Sequence, residues 1–177
     1  MVWGSELKRD FTIRSSVQSD EDRLEEIVGL SFPRFFRFFA GRSLNSEGTV
    51  LVSEAKRMVV GFAKLTDFRV GGGRFGCVLW LAVHPDFRRQ NVATELVEAG
   101  TNYLLSRHAG SVFASTQRGN SGSLATFRKA GYRRMGFLGL WRIFGWLVFC
   151  LYRKIWFAPG EIVLMHDRAE EGLARFE

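Results

Sequence analysis

Val78-Leu79-Trp80-Leu81-Ala82-Val83-His84-Pro85-Asp86-Phe87 reads as an apolar strand that ends in a proline turn, and Arg88-Arg89-Gln90-Asn91-Val92-Ala93 follows it at the head of a helix. The helix is legible because Val92, Leu96, Val97, Gly100, Tyr103 and Leu104 recur at helical intervals. A helix N-terminus built on small residues presents free N–H groups and the positive end of the helix dipole, which suits a pyrophosphate. An ordinary strand, turn and helix with a solvated arginine pair would look the same locally. The order of the surrounding elements decides between the two.

Upstream, Phe11 to Arg14 predicts a short strand. Ser19-Asp20-Glu21-Asp22 then supplies an N-cap with an acid three residues on, ahead of Leu24, Ile27, Val28 and Leu30 at helical spacing. Pro33 is placed to open a second helix through the aromatic run Phe32 to Phe39. Thr49 to Glu54 and Met58 to Asp67 predict strands joined by Ala55-Lys56-Arg57, and Gly71-Gly72-Gly73 separates them from the run Cys77 to Val83. Downstream, a helical crossover places Ser111 to Thr116 parallel to its predecessor. Ser121 to Ala130 predicts a short helix closed by Gly131, and Glu161 to His166 a last strand. The fold class is therefore α/β, an α+β mixed sheet with an antiparallel meander and one parallel pair. No internal repeat or low-complexity linker interrupts it, so residues 1–177 are expected to form a single domain.

The turn resembles the CoA-binding segment of the GNAT superfamily of N-acetyltransferases. That segment follows a strand ending in an L-A-V-H-P-like sequence and reads Arg or Gln, two residues, Gly, one residue, then Gly or Ala. Arg88 and Ala93 match, while Asn91 stands where Gly is usual; Asn is among the residues most tolerant of positive φ. Asn120, Ser123, Phe127, Gly131 and Tyr132 resemble the family's second signature, N-x-x-A-x-x-L-Y-x-x-x-G-F, with substitutions. The resemblance covers about the first three quarters of the chain plus the last strand. It implies a sheet splayed between its fourth and fifth strands, helices on both faces, and acetyl-CoA wedged in the gap as co-substrate. Pantetheine would pair along Leu81, Ala82 and Val83, with the pyrophosphate on Arg88, Arg89, Gln90, Asn91, Val92, Ala93 and Thr94. Asn120, Ser123 and Phe127 would border the cofactor.

In that family an amine attacks the thioester directly, a base takes its proton, and a tyrosine often protonates the leaving thiolate. The tyrosine position is Phe127 here, which leaves Tyr132 or water for the task. The fourth strand, at Leu79-Trp80-Leu81, holds no carboxylate, so the candidate bases are Glu54, Asp67 and His84, each of which fits a solvated surface role better than catalysis. The resemblance thus implies an N-acetyltransferase acting on a small-molecule or peptide primary amine. An acyl-CoA-binding sensor or scaffold without turnover is the alternative, motivated by Phe127 and the missing carboxylate.

The formal charge of +7 favours anionic partners, and between Ala99 and Gly160 there is no Asp or Glu. The basic residues of that half are interleaved with apolar runs and match no nucleic-acid module, which argues against nucleic acid. Cys77, Cys150, His84, His108 and His166 show no ligand spacing, so no metal is expected. MVWGSELKRDF lacks the basic-then-apolar pattern of a secretory signal and points to a cytoplasmic chain. The apolar stretch about 137–157 is short of the roughly 20 residues of a membrane span and is interrupted by Arg142. It reads either as an interfacial segment on acidic membrane or as an insertion packed on its own fold or on a twin subunit in a homodimer. With Phe32 to Phe39 it could form a lid over the acceptor.

Overall fold

The computed structural model describes residues 11–168. Four strands, β1 (Thr12–Ser15), β2 (Thr49–Ala55), β3 (Met58–Val70) and β4 (Gly73–Val83), form the expected antiparallel meander. β5 (Ser111–Gln117) lies parallel to β4. β6 (Arg133–Met135) and β7 (Glu161–Asp167) complete a seven-stranded sheet in the order β1-β2-β3-β4-β5-β7-β6. Two hairpins are longer than the sequence suggests, because each closes on two left-handed residues. Lys56 and Arg57 have φ of 50° and 64°, and Gly71 and Gly72 have φ of 57° and 83°. Such turns match the right-handed twist of the flanking strands, so pairing continues to Val70 and Gly73. β6 was not anticipated, since three residues rich in arginine carry no period-two pattern.

The helices are α1 (Glu21–Ser31), α2 (Arg34–Leu44), α3 (Val92–Ser106), α4 (Ser121–Lys129), α5 (Phe137–Phe144) and α6 (Val148–Lys154). One face of the sheet carries α3 and α4, whose Leu96, Leu104 and Phe127 pack with Leu65 and Val78. Gly100 lets α3 sit close, since a Cβ there would come within 2.8 Å of Leu65. The opposite face carries two aromatic-rich groups. α1 and α2 bury Leu24, Ile27 and Ala40 against Val52, Phe62 and Ala82. α5 and α6 bury Leu140, Phe144 and Leu151 against Phe113 and Met165. The alternation of Val112, Phe113 and Ala114 on β5 between the two faces follows from the two-residue period of a strand.

Two local expectations are corrected. The predicted cap ahead of α1 is absent, because a 3-10 turn at Gln18–Asp20 precedes the helix, and the Asp20 side chain makes no cap bond to α1. Its carboxylate instead accepts from Arg14 at 2.7 and 3.0 Å and from the Val17 amide at 2.9 Å. Leu30, read as a core position, is exposed. The stretch 137–157 is two short helices broken at Gly145, packed by one side onto the sheet. Among the described residues, no helix is long and apolar enough to cross a membrane.

Candidate active site

The site is built where the sheet comes apart. β4 and β5 pair only through Gly76, Cys77 and Val78 with Val112, Phe113 and Ala114. Beyond that the two strands are unpaired, which leaves an opening in the ladder on the β5 side of Leu79 to Val83. The cause is local: Leu65 pairs with Val78 and Lys64 with Trp80, so Leu79 is an extra residue in β4, a β-bulge that bends the strand. The bulge also turns two successive side chains toward different groups of helices. Leu79 packs on the α5–α6 cluster and Trp80 on the α1–α2 cluster.

At the end of β4 the chain makes a short 3-10 turn at Pro85–Phe87 and enters α3. Asn91 has φ 67° and ψ −2°, the left-handed conformation expected of a residue in the glycine position. Arg89 is also left-handed, with φ 61°, which no sequence signal indicated. Asn91 makes no side-chain cap bond, so the first-turn N–H groups of α3, those of Val92, Ala93 and Thr94, are left open to an anion. Arg88 is folded back, donating from Nε to the Val83 carbonyl at 3.0 Å and from a terminal nitrogen to Ser31 Oγ at 3.4 Å. Gln90 likewise donates to the Asp86 carbonyl at 3.1 Å. In this conformation these two side chains brace the turn, and the anion-facing groups are backbone N–H and the exposed Arg89.

The second signature is set beside the opening from the β5 side. Asn120 caps α4 by accepting from the Ser123 amide at 3.1 Å, which explains why these two residues keep their spacing. Phe127 is buried edge-to-face on Tyr132, with ring centroids 5.0 Å apart, and so belongs to the core rather than to the cleft wall. Gly131 has φ 80°, as expected after α4.

The candidate acid and bases are not brought together. The Tyr132 hydroxyl is buried and lies 2.7 Å from Thr101 Oγ1, which gives its own proton to the Val97 carbonyl. Tyr132 is therefore the donor in that pair, and burial pushes its pKa well up, so its proton is committed to the core. Glu54 lies two strands away from β4 and is paired with Arg14 at 2.8 Å. Asp67 is opposite Gly76, at the closed end of the sheet, and pairs with Arg74 at 3.0 Å. His84 does lie at the open end, where its Nδ1 accepts from the Asp86 amide at 3.3 Å and its Nε2 is 3.9 Å from Glu26.

Four residues absent from the sequence reading of the site stand near this opening. Ser31 and Glu26 come from α1; Ser31 continues the Leu24, Ile27, Val28 face of that helix, so the same periodicity could have flagged it. Trp80 Nε1 is buried and makes no hydrogen bond among the described residues, under Phe32 and Phe36 at 5.3 and 6.4 Å. Opposite it, the fully buried Lys64 donates to the Ser46 carbonyl at 2.8 Å, and desolvation lowers its pKa. The two aromatic segments meet over this region through Phe39 and Trp156, whose ring centroids are 6.3 Å apart. Among the described residues, no three His, Cys, Asp or Glu stand together as metal ligands.

A mixed sheet parted between a parallel pair, with a left-handed turn and a helix N-terminus at the mouth of the parting, defines an acyl-CoA-type acetyltransferase fold. The sequence matches the Acetyltransferase (GNAT) family over residues 10–132, more than half of its length, and the chain belongs to that family. Solved structures agree on the fold. A protein from Desulfovibrio desulfuricans assigned to the GNAT acetyltransferases superposes with a TM-score of 0.69 at 13% identity, over 89% of this chain and 99% of its own. The PaiA N-acetyltransferase of Thermoplasma acidophilum, solved with coenzyme A, gives 0.65 at 13% identity over 89% and 99%. The ribosomal-protein-S18-alanine N-acetyltransferase of Escherichia coli gives 0.63 at 16% identity over 89% and 94%. No curated protein sequence matches significantly.

Proposed function

We propose that this chain transfers the acetyl group of acetyl-CoA to a primary amine by direct attack. The carrying observation is that β4 leaves β5 unpaired beyond Val78 and Ala114 and then leads through the Pro85–Phe87 turn into the uncapped start of α3. Pantetheine fits as a surrogate strand along Leu81 to Val83, and the pyrophosphate fits the N–H groups from Arg89 to Thr94. The amine nitrogen attacks the thioester carbonyl carbon, the C–N bond forms, the C–S bond breaks, and CoA leaves as thiolate. The proton lost by the amine goes to solvent or to that thiolate. A thiolate is a modest base, so its departure does not require an acid such as Tyr132. Proximity supplies much of the rate when the amine arrives neutral. The orphaned Trp80 Nε1 supports a polar group, from the acceptor or the acyl carbonyl, docking beneath α1 and α2.

A second reading, an acyl-CoA-binding protein without turnover, is favoured by the buried Phe127 and the committed Tyr132 proton. One experiment separates them. Acetyl-CoA is incubated with peptides bearing a free N-terminus, lysine peptides, polyamines and amino sugars, and free thiol and acetylated product are measured. Thiol release that depends on one amine class supports transfer. Calorimetric CoA binding with no release for any amine supports the sensor, and no CoA binding removes both.

A further inference from the structure

We propose that the outward face formed by α2 and the α5–α6 segment docks on a bilayer containing acidic phospholipids. The inference is independent of the catalytic reading. The α5–α6 segment is apolar on both sides: while Leu140, Val148 and Leu151 are buried, Leu138 of α5 and Trp146 of the 3-10 turn between the helices are each 76% exposed. α2 does the same with Phe35 and Phe38, which are 70% and 65% exposed. A helix face apolar toward water marks an interaction surface. The two segments lie on one face of the sheet and touch through Phe39, which packs on Phe35 and Phe38 from one side and on the exposed Trp156 from the other.

Its charge selects the partner. From Ile27 to Ser46 and again from Ala99 to Gly160 the sequence holds no Asp or Glu. Arg34, Arg42, Arg142, Arg153 and Lys154 are exposed and enter no ion pair among the described residues. A second copy would meet like charge with like charge. A nucleic-acid duplex would satisfy the cations and leave the rings in water. Anionic headgroups above acyl chains satisfy both, with Trp and Phe seated at the boundary. α5 and α6 have eight and seven residues and are broken at Gly145, so they lie along a membrane rather than through it.

The test uses the whole chain with sucrose-loaded vesicles of phosphatidylcholine, alone or mixed with phosphatidylglycerol. The expected result is pelleting with the mixed vesicles at low salt, weakening as salt rises, with a blue shift of tryptophan emission. Arg153→Gln with Lys154→Gln should lower the partition coefficient about thirtyfold. Trp146→Ser should lower it and reduce the emission shift. Arg107→Gln, on the opposite face, should change neither. Far-ultraviolet circular dichroism and a cooperative thermal transition verify that each variant is folded. Protein that stays in the supernatant with mixed vesicles at low salt overturns the proposal. So does a dimer in sedimentation velocity that Trp146→Ser abolishes, equal pelleting on phosphatidylcholine alone, or tighter binding to duplex DNA than to vesicles.

Discussion

Asn91 holds a left-handed backbone that glycine adopts without strain, and its carboxamide stands at the start of α3 without capping it. Asn91→Gly should leave CoA affinity equal or tighter, with stability within about 1 kcal/mol of the parent. Asn91→Val should lose about 1–2 kcal/mol and weaken CoA binding, because a β-branched residue resists that conformation. Calorimetric titration and chemical denaturation read both. Tyr132→Phe removes a hydroxyl that serves Thr101, so about 1 kcal/mol of stability should be lost while kcat changes less than tenfold. A much larger fall in kcat with unchanged stability would restore Tyr132 as an acid. The shape of the turn was legible in sequence because a left-handed backbone is written in residue type at Asn91. The direction of Arg88 was not, since a long side chain is placed by tertiary partners, here the Val83 carbonyl and Ser31.

Among the elements, β1 and the start of α1 are held by the Asp20 carboxylate between Arg14 and the Val17 amide. The side-chain hydrogen bond from Arg14 is the main reason the Asp20 pKa lies below its ordinary value. A carboxylate with a depressed folded pKa adds stability above its unfolded value and loses it as pH falls through the folded one. Asp20→Asn should therefore cost about 2 kcal/mol at pH 7, and the difference from the parent should shrink progressively below about pH 4. Denaturation curves at pH 7 and pH 3 check the sign. Helices α1, α3 and α4 and the meander were readable from apolar period and glycine punctuation. Neither β6 nor the break at Gly145 was, because arginine-rich strands and uniformly apolar helices carry no period to read. Asp67 and Glu54 looked available as bases for a related reason: sequence shows a carboxylate but not the arginine that occupies it.

For the molecule as a whole, ligand binding and folding are one equilibrium. CoA at about a hundred times its dissociation constant should add about 2.7 kcal/mol of stability and raise Tm by roughly 5–10 °C. Differential scanning fluorimetry measures that shift, and no shift at saturating CoA would remove the binding site. The three-residue seam between β4 and β5 carries a further consequence. It makes the sheet an unfinished one, two halves joined at Gly76 to Val78, with an interior edge that no strand among the described residues fills. Backbone amides of Leu79 to Val83 that point into the parting should exchange with deuterium quickly in the free protein and slowly once pantetheine lies along them. The cofactor then acts as an eighth strand, and the cooperative unit of the fold includes a molecule the gene does not encode.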